Sequence, residues 1–223
     1  DSLSILERYR ARDGRVRIIG ASGSGAAAAR NQGLSEARGE YALFLDADDF
    51  FQPTMLELAV DRAQQADADV VLFGARFYDD DKKDYITEEA CLRADLLPSG
   101  QVFSPNDVSD RLFQLINPAP WTKLVRKAFI DEEGIRFQEL PNSNDLFFSY
   151  AALARAACVA VVDESLVSYR VQTKSSTQDR KAKDPCCFIF ACEALGSWLD
   201  ERSLLGRFRD SFGKLVASNA SYN

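Results

Sequence analysis

Three times within the first 79 residues a helix-patterned segment gives way to a short apolar run, and this alternation restricts the possible folds more than any other feature. The segment DSLSILERYRARD carries Leu3, Ile5, Leu6 and Tyr9 at helical spacing, and RVRIIGA (15–21) then reads as a strand before the loop GASGSG. The alanine-rich AAAARNQGLSEARG follows as a helix closed by Gly39, and leads to the apolar YALFLDA. QPTMLELAVDRAQQAD places Pro53 in its first turn and Leu56, Ala59, Val60 and Ala63 on one face; DVVLFGARFYD (69–79) returns as a strand. Strands that are apolar throughout need cover on both sides, so the expected fold class is α/β, a mostly parallel sheet wrapped by helices. In such sheets ligands bind at the carboxyl ends of the strands.

Beyond residue 79 the pattern is irregular as far as Ser104. SPNDVSDRLFQLI then predicts a helix opened by a capping box, Ser104 with Asp107, and buried through Val108, Leu112 and Leu115. WTKLVRKAFIDEEGIRF reads as a short helix with an extended end, NSNDLFFSYAALARAA as a helix, and CVAVVDESLVSYRV as a strand pair. The expected organisation is a sheet domain over 1–172, a polar linker or mobile loop over 173–184, and a helical hairpin over 185–223. The hairpin is expected to pack on the sheet domain; its apolar residues Phe188, Phe190, Leu195, Trp198 and Leu199 also suit a partner subunit or a membrane surface.

What the chain lacks narrows its chemistry. It has no histidine, which excludes Ser-His-Asp and Cys-His nucleophile systems and leaves carboxylates as the natural general bases. Five cysteines without a Cys-x-x-Cys pair fit reduced, packing thiols of a cytoplasmic protein better than a zinc site. Any metal is expected to be held by oxygen, which points to magnesium, manganese or calcium. A net charge of −7 argues against nucleic acid as a partner. No apolar run reaches the ~18 residues that a spanning helix needs. The acidic DDDKKD reads as a solvated loop.

The run YALFLDADDF drives an apolar strand into Asp46, Asp48 and Asp49. Acids two residues apart at a strand end can both turn toward one hard cation, leaving positions for water and phosphate. The alternative is a negatively charged turn that favours the dipole of the next helix.

The residues around this run resemble inverting glycosyltransferases of family two, which have the GT-A fold. The resemblance is carried by Ala29-Arg30-Asn31, Gly39-Glu40-Tyr41 and Asp46-Ala47-Asp48-Asp49, in that order and spacing. It continues through WTKL, through NSNDLFF, where the family commonly has Glu-Asp-x-x-Phe, and through ESLVSYR, covering about residues 1 to 178. It implies an incomplete GT-A fold followed by a helical hairpin, with the family's first strand, helix and second strand missing, and hence a piece that binds nucleotide weakly and is inactive alone. It also implies Asp46 and Asp48 as ligands of Mn2+ or Mg2+ and Asp145 as the base on the acceptor hydroxyl. Arg30 and Arg170 would lie on the donor side, and Trp121 and Asn144 on the acceptor side. The donor would be a nucleotide-diphosphate sugar, a UDP-sugar first; the acceptor, a glycan or lipid-linked sugar in cell-surface polysaccharide synthesis. The expected location is the cytoplasm, or peripherally the inner face of the membrane.

Each residue has a plainer role beside this one: helix capping for Asp145, an ion pair to Asp46 or Glu40 for Arg30, a surface position for Arg170, packing for Trp121. Two other readings of the whole chain stand against transfer. One is a transferase-like scaffold without turnover. The other is a haloacid-dehalogenase-like phosphatase, whose motif needs Thr or Val where this chain has Phe50.

Overall fold

A computed structural model describes residues 2–20, 23–171 and 184–222. Its centre is a pair of long parallel strands, β3 (Val70–Asp79) and β7 (Val159–Val171). Val70, Val71, Leu72 and Phe73 are at most 1% exposed, as an apolar run covered on both faces must be. Each central strand carries two short antiparallel partners on its outer edge. On β3 these are β6 (Lys123–Arg126) and β4 (Asp84–Ala90); on β7 they are β5 (Val102–Phe103) and β2 (Phe50–Phe51). The strand β1 (Tyr41–Leu43) pairs antiparallel with β6, so β1, β3 and β7 run the same way and the sheet as a whole is mixed.

Two cores flank the sheet. On one face α3 (Met55–Ala66) buries Met55, Ala59 and Ala63 against Val71, Phe73, Ala160 and Val167. On the other, α2 (Gly25–Glu36), α5 (Leu146–Arg155), α6 (Cys187–Glu201) and α7 (Arg209–Tyr222) share a core with Val70, Leu72, Val159 and Val161. The C-terminal hairpin therefore packs into the sheet's own core. Phe208 meets Phe113, Trp198 meets Phe147, and the buried Ser211 hydroxyl accepts from the Phe113 N–H at 2.8 Å.

Several expectations need correction. Residues Arg15 to Gly20 form no strand: the Arg15 N–H and guanidinium bind Asp13, and Arg17 binds Glu36. With no neighbouring strand among the described residues, the backbone there has no ladder to join. The helix α1 (Ser2–Arg10) does form, yet Leu3, Ile5, Leu6 and Tyr9 are all exposed, Leu3 by 61%. Helix α2 ends at Glu36, and Ala37 rather than Gly39 follows it as the cap. The capping box of Ser104 and Asp107 is present, but it opens a 3-10 turn (Pro105–Val108), with a second turn at Leu112–Gln114, instead of one α-helix. Val108, Leu112 and Leu115 are nonetheless fully buried.

WTKLVRK contributes β6 before the short helix α4 (Lys127–Glu132). The expected strand pair at 158–171 is one bent strand. Phe73 lies opposite Val162 and Gly74 opposite Ser165, so Asp163 and Glu164 bulge out. Gly74 fits closely there: a Cβ would sit 3.1 Å from the Ser165 hydroxyl, which would have to give way. Residues 173–183 of the expected linker, and Gln172 before it, lie outside the described residues.

Candidate active site

Past Leu43 the chain runs on through Phe44 and Leu45 into a turn closed by the Asp49 N–H on the Asp46 carbonyl. The turn sends its three acids in different directions. Asp46 is half-buried, Asp48 is exposed, and Asp49 is 8% exposed, folded back under the turn.

Asp46 and Asp48 line an open cleft of about 570 Å³ that Asp145 also lines, from the loop leading into α5. Much of the remaining wall comes from Asn117, Pro118, Ala119 and Trp121 before β6, Asn142, Ser143 and Asn144 before α5, and Phe77 and Tyr169 from the central strands. Side chains 99 residues apart in sequence thus share one space.

Arg30 ties the two sides together. Its guanidinium donates to Asp46 Oδ1 at 2.8 Å and to Asn144 Oδ1 at 3.2 Å. It is 16% exposed and lies 5.5 Å from the centre of the Phe137 ring. The neighbouring Asn31 explains why this helix sits where it does: its side-chain amide bonds both the Phe137 N–H and the Phe137 carbonyl, each at 2.8 Å. Of the two plain alternatives for Arg30, the ion pair to Asp46 is present.

Asp145 occupies the N-cap position of α5, but its side chain makes no capping bond. Trp121 lines the cleft while only 6% exposed, its ring stacked on Tyr169 at 5.5 Å and 14°. Arg170 does not line the cleft. Its guanidinium pairs with Asp80 at 2.7 Å and lies over the Phe50 ring, and its backbone N–H donates to Asp49 Oδ1 at 3.0 Å.

Desolvation pushes the Asp49 carboxyl up to about 6; Asp48 and Asp46 add to this, while the Arg170 N–H opposes it. Its Oδ2 is buried without a hydrogen-bond partner. An acid raised in the fold weakens the fold wherever it must ionise. This penalty is absent below about pH 4, grows as pH rises, and is complete above about pH 6. Asp49→Asn keeps an oxygen for the Arg170 N–H and removes the charge. Metal-free protein carrying it should melt higher than wild type at pH 7 and nearly level with it at pH 4, which thermal denaturation at the two pH values checks.

Could this site hold the expected cation? Asp46 and Asp48 offer two carboxylates on the cleft, Asp49 is turned away, and no cluster of three or more metal-binding side chains exists among the described residues. That suits a magnesium- or manganese-type ion, which takes one or two carboxylates and completes its shell with water and substrate phosphate. It does not suit a metal caged by protein alone.

Several cleft residues escaped the sequence reading. Tyr169 lies inside the quoted motif ESLVSYR, and Lys123, which does not line the cleft but binds its wall, inside WTKL; nothing in spacing alone says that Tyr169 backs Trp121 or that Lys123 is buried. Phe77 lies in the segment read as a strand and Asn142 opens NSNDLFF, but neither stands out there as a cleft residue.

The architecture, a mixed sheet between helical layers with an acidic strand end opening on a cleft, is GT-A-like. The chain belongs to glycosyl transferase family 2: the sequence profile described as "Glycosyl transferase family 2" matches residues 1–158. A putative glycosyltransferase, EpsH of Bacillus subtilis (strain 168), is 27% identical over 225 residues, covering 99% of this chain and 63% of its own length. The uncharacterized glycosyltransferase EpsJ of the same strain is 27% identical, over 78% of this chain and 50% of its own. The chain thus spans half to just under two thirds of these relatives. Among solved structures, Staphylococcus aureus TarS residues 1–349 in complex with UDP-GlcNAc superposes with a TM-score of 0.69 at 20% identity, over 89% of this chain and 54% of that one. At that identity the likeness establishes the fold alone. Among the described residues no helix is long and apolar enough to cross a membrane.

Proposed function

We propose that this chain is the acidic half of the active site of a transferase. The enzyme moves a sugar from a nucleotide-diphosphate donor, a UDP-sugar first, to a hydroxyl of a glycan or lipid-linked sugar, with inversion, in cell-surface polysaccharide synthesis. The observation that carries this reading is that Asp46 and Asp48 share a cleft with Asp145.

Asp48, with Asp46, would hold Mn2+ or Mg2+ against the donor diphosphate. When bound, the ion neutralises charge that gathers on the departing diphosphate. The chain's own part is to deprotonate and to orient. As the acceptor oxygen bonds to the anomeric carbon, its proton passes to an Asp145 carboxylate oxygen, and the carbon–phosphate oxygen bond breaks with its electron pair leaving on the diphosphate. Inversion follows from attack opposite the leaving group. A carboxylate suffices because the hydroxyl is acidified only as the new bond forms. Arg30, held between Asp46 and Asn144, keeps the donor acids and the acceptor loop in register, and its charge faces the side where phosphate would lie. Asn144, 9% exposed and engaged by Arg30, acts on the acceptor side by fixing that loop. Arg170 enters this scheme only through Asp49, since its guanidinium is taken by Asp80. The cytoplasm, or the inner membrane face reached peripherally, is where a nucleotide-sugar donor would be met. The donor bound by S. aureus TarS, UDP-GlcNAc, supports the nucleotide-sugar class.

The test is donor binding by the whole protein. UDP with Mn2+ at a hundred times the dissociation constant should stabilise it by about 2.7 kcal/mol, a rise of several degrees in Tm. Chelation or Asp48→Asn should abolish that rise. Stabilisation by UDP that survives both would remove the metal and Asp48 from the scheme; no stabilisation in wild type would favour the scaffold reading.

A further inference from the structure

Lys123 takes no part in the chemistry above, yet it is among the most buried side chains of the protein, 1% exposed. Its ammonium donates to the carbonyls of Asn117 at 2.7 Å and Ala119 at 2.8 Å, and to the Thr122 hydroxyl at 3.1 Å. Three oxygens saturate its three donors. Among the described residues no carboxylate lies within ion-pairing distance of it. A buried, unpaired cation costs several kcal/mol in principle, and a Met or Leu would fill the same space without that cost. A reason for the charge must lie nearby.

Two neighbourhoods meet at this ammonium. The first is the loop it grips. Asn117, Pro118, Ala119 and Trp121 form one wall of the cleft, and α5 grips the same loop from the other side. The Ser149 hydroxyl donates to the Pro118 carbonyl at 2.5 Å and the Tyr150 hydroxyl to the Ile116 carbonyl at 3.2 Å. Asn117 is fixed again by Cys91, whose carbonyl accepts from its N–H and whose sulfur accepts from its side chain. The second neighbourhood is electrostatic. Burial lowers the Lys123 ammonium to about 7, and the charges that oppose this are Cys91 and Asp145. Burial raises the Cys91 thiol to about 11, so it is uncharged near neutrality. Tyr150, which also feels Asp145, is raised by burial and stays neutral. With Cys91 uncharged, Asp145 is the remaining group whose charge opposes that lowering; Arg30, Asp46 and Asp48 line the same cleft as Asp145.

We propose that Lys123 is a positioning residue for the transfer reaction: its ammonium sets the Asn117–Trp121 wall against which the acceptor lies, and supplies the buried positive charge that acts on Asp145 from inside the protein. The inference rests on Asp145 being the base. It makes the wall and the base a single unit, because the helix that begins at Asp145 also carries Ser149 and Tyr150.

The experiment follows the Asp145 carboxyl by NMR titration and the transfer kinetics, both in the whole protein. Lys123→Gln keeps hydrogen-bond donors and removes the charge. It should raise the Asp145 titration midpoint by about one unit and raise the acceptor KM about fivefold, with donor affinity unchanged. Lys123→Arg keeps the charge and should leave the midpoint where it is in wild type. Ser149→Ala loosens Pro118 without touching the charge, and should raise the acceptor KM alone. A Lys123→Gln protein with an unmoved Asp145 midpoint overturns the proposal, as does a Ser149→Ala protein with wild-type acceptor KM should the first variant fail to fold. A merely structural lysine would lower Tm and leave the midpoint in place. If wild-type protein transfers no sugar while the midpoint still moves in Lys123→Gln, the proposed function falls and the electrostatic part of the inference stands.

Discussion

Asp145→Asn is expected to slow sugar transfer by about 10²- to 10⁴-fold while leaving donor binding and folding nearly untouched. The side chains have the same shape, and Asn is at least as good as Asp at a helix N-cap. Asp145 makes no capping bond to lose, so α5 should start in the same place. What the variant lacks is a group that can take a proton from an attacking hydroxyl. The proposed donor side of the cleft, Asp46, Asp48 and Arg30, is built on other elements and should bind UDP with Mn2+ as before. Initial-rate transfer assays beside calorimetry with UDP and Mn2+ separate the outcomes. Loss of transfer with full donor affinity supports a base. Equal loss of both would mean that Asp145 holds the cleft together and does not act in it. Unimpaired transfer would remove it from the chemistry altogether.

The half of the fold that was legible in sequence is the half whose burial is two-sided. Val70 to Phe73 could be read as a central strand because every residue had to be apolar, and α3 could be read from a stripe that meets that strand. Arg15 to Gly20 looks equally like a strand, since Val16, Ile18 and Ile19 alternate with or follow polar residues, yet pairing needs a neighbour and pattern does not reveal one. The 3-10 turns at Pro105 and Leu112 bury the same stripe that an α-helix would. Burial was therefore predictable there and the helix type was not. The three-residue core of β6 and the bulge at Asp163–Glu164 are tertiary matters: β6 exists because β1 and β3 both need a partner, and the bulge because Gly74 permits one.

The candidate site divides in the same way. Asp46, Asp48 and Asp145 stood out because carboxylates beside apolar runs need a reason, and ordered motifs supplied one. Asp49 read as the third acid of a turn that would favour the next helix's dipole, but burial has drawn it under that turn, where it accepts from the Arg170 N–H and joins the turn to the end of β7. Arg170 was expected at the donor, but its guanidinium is engaged by Asp80 in the loop after β3. Such contacts depend on which loop ends the sheet twist brings together. Arg30 was legible as an ion pair to Asp46. Its second bond, to Asn144, spans 114 residues and appears only in three dimensions.

What holds the two acidic sides of the cleft at a fixed separation is aromatic. Phe44 stands two residues before Asp46, Phe148 three residues after Asp145, and Phe137 lies between them. Phe137 and Phe148 stack with centres 4.0 Å apart at 7°, and Phe44 meets both edge-on at 4.9 and 5.3 Å. Phe148 is 1% exposed and Arg30 lies over Phe137, so the trio forms the floor on which the ion pair to Asp46 rests. Phe148→Ala should therefore cost about 3–5 kcal/mol, the upper part of that range reflecting two lost ring contacts. For a protein of this size that is a fall in Tm on the order of 10 °C, measurable together with the denaturant midpoint. Phe148→Leu refills most of the volume and should recover over half of the loss. Because the ring joins the Asp46 side to the Asp145 side, the alanine variant should also lose transfer activity at temperatures well below its melting point, more than an equally destabilising truncation at Leu199, which is buried and does not line the cleft. Equal activity losses in the two variants at matched stability would show that the trio supports the fold in general and does not set the cleft.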